Sequence, residues 1–331
     1  MRSYFLSFLL FCGVVTFGTM FTWRIMQSRE IVATSKNFII EKGDGVFTVA
    51  RKLHEQKIIT SIATFPILSR IWLMVKNKEY RYGEYQLQQG MTFQNLLSKL
   101  TSGDFYYRKI TIPEGLTIYQ IQEIMEKENG LIGTFPSEIK EGTLMPESYK
   151  FTAGNTKKQI IQKMQIDMQD FIQKEWSKRD EIIDSVIKTP EEAIILASIV
   201  EKETEVASER PHIASVFMNR LKIGMRLQTD PTIVYMLSAK RGTALNRPLN
   251  HEDLWFNSPY NTYRNKGLTP TPICNPGKDA ILAVLHPLKT FDLYFVATGN
   301  GGHNFSRDFQ THINSKINYK KIRKKIKAES Q

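Results

Sequence analysis

The chain has 331 residues, 41% of them hydrophobic, and no low-complexity tract, so it can bury one or two sizeable cores and is not an extended disordered protein. Its formal net charge of +12 gathers partly in the tail "KINYKKIRKKIKAESQ". No aromatic-interleaved basic motif or zinc-finger spacing accompanies that tail, so it reads as a solvated helix face and nucleic acid is not an expected partner.

The first predicted element is Ser3 to Trp23, "SYFLSFLLFCGVVTFGTMFTW", which carries no charge and is long enough to cross the roughly 30 Å hydrocarbon core as a helix. A cleavable signal peptide is the rival reading. No small-x-small site follows the apolar run, however, and Phe11 is too bulky to precede a lipid-modified Cys12. Residues 1–30 are therefore predicted to be a cytoplasmic tip and a single membrane anchor. Arg2 and the amino terminus oppose Arg24 and Arg29, so the positive-inside rule does not orient it.

Three segments then share one pattern: "FIIEKGDGVFTVARKL", "EYQLQQGMTFQNLLSKL" and "KITIPEGLTIYQIQEIM". Each reads as an alternating strand, a glycine turn (Gly43 and Gly45, Gly90, Gly115) and a helix entered through a threonine cap at Thr48, Thr92 or Thr117. Residues 31–135 are predicted to form a small α+β module. It resembles the LysM fold, which implies carbohydrate binding; a purely structural platform is the alternative.

Residues 136–331 are predicted to form a larger α+β domain. It has helices at about 155–180, 190–206 and 209–222, a closing hairpin in "DLYFVATGNGGHNFS" and a terminal helix. Gly299, Gly301 and Gly302 match no phosphate-binding fingerprint, since no helix opens directly after them. Cys12 and Cys274 are too separately placed to suggest a disulfide. The six histidines (His54, His212, His251, His286, His303 and His312) fall into no metal-ligand spacing, so neither metal nor cofactor is expected.

The helix beginning "TPEEAIILASIVEKETE" is the most informative. Thr189 is a good N-cap, Pro190 suits the first turn, and Glu192 completes a capping-box pattern. From Ala193 to Val200 only Ser198 is polar, so this stretch should be buried, and Glu201 is its exit. At about 100° per residue Glu201 projects near Ala197 and Ser198, Glu203 points the other way, and Glu205 returns to nearly the first face. A carboxyl at the edge of a buried helix is partly desolvated, which favours its protonated form and suits a general acid. The other reading of "EKETE" is a solvated helix end.

Together, "EGTLMPESYKF", "LASIVEKETEVASERPHIASVFMNRLKIGMRLQTDPTIVY", "SPYNTYRNKGLTPTPICNPG" and "HPLKTFDLYFVATGNGGHNFS" resemble the YceG-like family of membrane-anchored endolytic murein transglycosylases. The resemblance implies a lyase that cleaves the β-1,4 bond between N-acetylmuramic acid and N-acetylglucosamine in peptidoglycan without water, leaving a 1,6-anhydro end. It implies that Glu201 is the catalytic acid, then base. It also implies a single-pass protein of the cytoplasmic membrane with its catalytic domain on the outer side, and cell-wall synthases as candidate partners.

Other positions stay open between two readings. Asp230 either contacts sugar or caps a helix. Gln228, Asn261 and Tyr263 either hydrogen-bond sugar or brace a loop. Glu147, where the family has an acidic residue, either lines the cleft or caps the domain's first element, and His303 is either a turn histidine or a catalytic one. Met145 stands where the family would have an aromatic residue. The rival functions are a two-carboxylate hydrolase, with Glu201 as acid and Asp230 or Glu205 placing a water, and a non-catalytic wall-binding scaffold.

Overall fold

The computed structural model describes residues 32–59, 62–63, 65–239, 245–299 and 301–329, together with 13, 14, 16, 18, 20, 21 and 24. The predicted anchor lies largely outside these. Among the described residues no helix is long and apolar enough to cross a membrane. The architecture is mixed α+β, in two compact units: the described residues up to Lys109 with Lys150–Asn155, and Ile110–Tyr149 with Thr156 onward.

In the first unit, strand β1 (Lys36–Ile40) pairs antiparallel with β2 (Gly83–Leu87), setting Phe38 opposite Tyr85. Between them run α1 (Val46–Glu55) and α2 (Phe65–Lys76), and α3 (Phe93–Ser102) follows. Alternation along β1 buries Phe38 and Ile40, and helical spacing buries Val49 with Leu53 on α1 and Phe65 with Trp72 on α2. These side chains share one core. Thr92 caps α3 through the Asn95 N–H, as its sequence suggests. Thr48 does not act as a cap. Gly45 is the N-cap of α1, leaving Thr48 inside the first turn.

Along the chain the first of the two compact units gives way to the second after Lys109, and Lys150–Asn155 returns to the first. Of the third strand-turn-helix, β3 (Arg108–Thr111) spans this division and α4 (Ile118–Glu126) lies in the second unit, and β3 pairs with β4 (Ser148–Phe151), not with β1 or β2. Asn275 ties the segment after β3 to the distal chain. Fully buried, it donates through Nδ2 to the Leu116 carbonyl and to Glu141 Oε2, and accepts the Leu144 N–H at Oδ1. An amide enclosed in this way fixes segment 110–149 to the distal chain, because separating them would strand buried polar groups.

The second unit is helical at its centre. After α5 (Lys157–Trp176), with its Thr156–Gln159 capping box, come α6 (Pro190–Glu203), α7 (Arg210–Lys222), α8 (Asp230–Ala239) and α9 (Lys278–Leu285). The hairpin β5 (Tyr294–Ala297) and β6 (His303–Ser306) and helix α10 (Phe309–Glu329) close the chain. Helix α6 is enclosed as expected: Ala193, Leu196, Ala197, Ile199 and Val200 are all fully buried, in one cluster with residues of α7 and α9. Each of the larger side chains contributes roughly 1.5–3 kcal/mol of transfer free energy. Met145, the departure from the family pattern, is fully buried in this same cluster.

Thr189 caps α6 by accepting the Glu192 N–H, while the Glu192 carboxylate reaches the Lys188 N–H and not the cap itself. The helix is shorter than the predicted 190–206. Thr204 is extended (φ −142°, ψ 137°) and its hydroxyl accepts the Val206 N–H, so α6 ends at Glu203 and Glu205 never rejoins its face. A short 3-10 turn, Ala207–Glu209, then leads into α7.

Candidate active site

Burial of α6 delivers Glu201 with almost no access to water: its side chain is 5% exposed. Two donors satisfy it. Arg210 Nη2 donates to Oε1 at 2.9 Å and the Gly277 N–H donates to Oε2 at 2.9 Å. Arg210 is itself only 9% exposed, and its Nε has no hydrogen-bond partner. Beside Glu201, Ser198 Oγ accepts the Ile273 N–H, which locks the segment leading to Gly277 against α6.

The turn between β3 and α4 brings a second carboxyl group to the same place. Gly115, at φ +74°, turns the chain where a Cβ would meet the Glu201 Cγ at 3.4 Å, so glycine serves both the backbone angle and the close approach. Lys202 Nζ donates to the Gly115 carbonyl at 3.3 Å, and the Gly115 N–H donates to the Asn275 carbonyl. Glu114, next in the chain, rests on Gly277: a Cβ there would lie 1.9 Å from Glu114 Oε1. Glu114 Oε2 is 3.7 Å from the same Arg210 nitrogen that holds Glu201, and Asp279 Oδ2 is 3.7 Å from Arg210 Nη1. Burial, followed by the negative charge of Glu201, pushes the Glu114 carboxyl above the ordinary glutamate range, although Arg210 opposes this. Glu147 stands nearby, held by Lys278 Nζ, and adds to the negative field around Glu114.

Glu203 leaves α6 toward a different set of groups. Its Oε2 accepts the Thr229 hydroxyl at 2.5 Å, and burial raises its carboxyl, reinforced by Asp230 and opposed by His303 and Arg220. Asp230 opens α8 and accepts the Tyr263 hydroxyl at 2.5 Å. Gln228, exposed, holds a left-handed backbone (φ +49°), a conformation that costs a non-glycine residue energy and occurs preferentially at functional positions.

Asn261 and His303 are both engaged in hydrogen bonds within the protein. Asn261 is fully buried; Nδ2 donates to the Leu254 and Phe256 carbonyls and Oδ1 accepts the Tyr263 N–H, which leaves no donor free for sugar. His303 begins β6 and grips Glu209, which accepts both its N–H and its Nδ1 contact at 2.7 Å. Since Glu209 directly precedes Arg210, His303 steadies the turn that aims the guanidinium at Glu201. Among the described residues no three His, Cys, Asp or Glu are grouped to hold a metal ion. Cys274 is a free, buried thiol.

The sequence reading singled out Glu201 but passed over Arg210, Glu114, Gly277 and Asp279. The available signal was the sharp "PEG" turn: an acid beside a glycine directly before a helix. It read instead as a third copy of a repeated unit.

The YceG-like family profile matches residues 38–318. An endolytic murein transglycosylase of Bacillus subtilis strain 168 is 32% identical over 319 residues, covering 86% of this chain and 85% of that protein. One of Streptococcus pneumoniae serotype 2 is 27% identical over 376 residues, covering 96% of this chain and 66% of that longer protein. Among solved structures, a yceG-like protein of Listeria monocytogenes superposes with a TM-score of 0.52 at 28% identity, covering 85% of this chain and 99% of that one.

Proposed function

The chain belongs to the YceG-like family, and from that premise we propose that it is an endolytic murein transglycosylase in which Glu201 performs the chemistry. The observation that carries this reading is the enclosure of Glu201, 5% exposed at the end of a buried helix and held by one guanidinium and one backbone N–H. Burying a charge is costly even when it is paired, and the fold offsets that cost at Glu201 with these two donors.

The reaction needs only one acid that changes role. Protonated Glu201 gives its proton to the oxygen bridging C1 of muramic acid and C4 of glucosamine, and the C1–O bond breaks toward an oxocarbenium-like centre. The muramic acid 6-hydroxyl attacks C1, and its proton passes to the Glu201 carboxylate. The products are a free 4-hydroxyl and a 1,6-anhydro end, and the enzyme has regained its proton. No water enters the balance. Arg210 and the Gly277 N–H hold the carboxylate in place between the two transfers.

Around this centre the reading is a single-pass protein of the cytoplasmic membrane, anchored by the uncharged Ser3–Trp23 segment and acting on the outer side where peptidoglycan lies. The unit containing β1, α1, α2 and β2 presents glycan in the manner of a LysM module; its strand-helix-helix-strand order with an antiparallel pair supports this.

The test is the product profile of purified peptidoglycan strands treated with Glu201→Gln. Glutamine keeps size and hydrogen-bonding capacity but cannot transfer a proton, so anhydro-ended fragments should disappear while glycan binding and melting temperature persist. A stable variant that releases anhydro ends at the parent rate overturns the assignment. Reducing ends from the parent protein would favour a hydrolase.

A further inference from the structure

We propose that Glu114 is a positioning residue that keeps a proton on the Glu114–Glu201 pair at neutral pH, and so makes Glu201 available as an acid. This rests on the reading of Glu201 given above. The problem it answers is geometric. Arg210 and the Gly277 N–H both donate to Glu201, an arrangement suited to a carboxylate, yet the first chemical step needs a carboxylic acid.

Glu114 is the counterweight. Its carboxyl group leans on the same Arg210 nitrogen at 3.7 Å and on the same residue, Gly277, so the two carboxyl groups share one cation and one backbone support. Like charges gathered on a single cation cannot both ionise freely, and such a pair gives up its protons in two separated steps. Glu114 is 42% exposed at a turn, where it can exchange protons with solvent; Glu201 is 5% exposed and cannot do so readily. The direction of the shift at Glu114, upward through burial and then the charge of Glu201, agrees with this geometry.

The remaining groups facing the pair come from every neighbouring element. Asp279 from α9 and Glu147 before β4 add negative charge; Lys202 on α6 and Lys278 on α9 are cationic, with Lys202 held by the Gly115 carbonyl and Lys278 by Glu147. The buried Cys274 thiol is kept neutral by burial. Of these, Glu114 alone shares both Arg210 and Gly277 with Glu201.

The experiment is the pH dependence of kcat/KM for anhydro-end release by the full chain. In Glu114→Gln the alkaline limb should move to lower pH by about one unit, which means about tenfold less activity near neutrality and recovery toward the parent rate on the acid side. Glu114→Asp should keep most of the parent limb. Arg210→Gln, which removes the opposing charge, should move the limb to higher pH. A parental profile in Glu114→Gln, or a loss that is uniform across pH, overturns the proposal. If that variant does not fold, Gly277→Ala, whose new Cβ displaces the same carboxylate, is read by the same criterion. Glu201→Gln separates the two claims: if it is inactive at every pH while Glu114→Gln matches the parent, only the Glu114 role fails, whereas an active Glu201→Gln removes the underlying function.

Discussion

Glu201 and Glu203 leave the same helix two residues apart, both poorly exposed to water, and meet opposite treatment. Glu201 is met by a guanidinium nine residues along the chain, and by a backbone N–H and a second carboxyl group brought from distant parts of it. Glu203 is met by a neutral hydroxyl from Thr229, and burial holds its carboxyl up toward the neutral form. Poor access to water alone therefore does not identify a working acid. The difference lies in the partners: Glu201 is fixed by a guanidinium and a backbone N–H beside a second carboxyl group, whereas Glu203 is bonded to a neutral hydroxyl and raised by burial.

The largest effect that would break this comparison is the activity of the two glutamine variants. Glu201→Gln should lose about 10²–10⁴-fold or more of anhydro-end release, while Glu203→Gln, which mimics a neutral acid, should stay within about threefold of the parent in the same assay. Equal losses would mean that the Glu203 side also takes part in chemistry.

Next comes Gly277→Ala. The added Cβ would fall 1.9 Å from Glu114 Oε1, so the Glu114 carboxyl must leave its seat. We expect about a tenfold loss near neutral pH, with the alkaline limb shifted as for Glu114→Gln, read from rate profiles.

Asn261→Ala sharpens the other side. It strands two backbone carbonyls and one N–H in a buried loop, so chemical denaturation should show a loss of about 1–3 kcal/mol, with KM for glycan changing only through the tilt of Tyr263. A loss of binding with no loss of stability would restore Asn261 as a sugar contact.

The smallest expected effect is on stability against pH. Burial raises the Glu203 carboxyl above its unfolded value of 4.5, so the folded chain holds this proton more tightly than the unfolded chain. The contribution is fully present below that value and is lost as pH rises through the folded one. Melting curves of Glu203→Gln should accordingly fall less steeply on the alkaline side than those of the parent; parallel curves would show that Glu203 is ionised in the folded protein.

What could be read from the sequence follows the range of the forces involved. The start of α6 was legible because a threonine cap and a proline act within one turn. The hairpin was legible because its glycines and alternating residues are neighbours. The point where α6 stops was not, since it depends on Thr204 taking an extended backbone that the acidic run "EKETE" gives no hint of. Glu114 was hidden for a related reason. Its segment has the same local pattern as two others, and only the buried amide of Asn275, far along the chain, draws it into the second unit. Arg210 opens a helix like any other basic residue until Glu209 and His303 are seen to orient it.

The early end of α6 also bears on the order in which the molecule becomes competent. Arg210 and Glu201 are nine residues apart, so their contact closes a short loop and can form as soon as the chain between α6 and α7 turns. The Gly277 N–H comes from 76 residues away, and Glu114 must arrive from the other direction across still more chain. Contacts of such separation form slowly compared with local ones. Glu201 thus meets Arg210 across a short stretch of chain, whereas its arrangement with Gly277 and Glu114 needs the docking of distant segments. The complete arrangement around Glu201 therefore exists only where segments from both sides of α6 have docked.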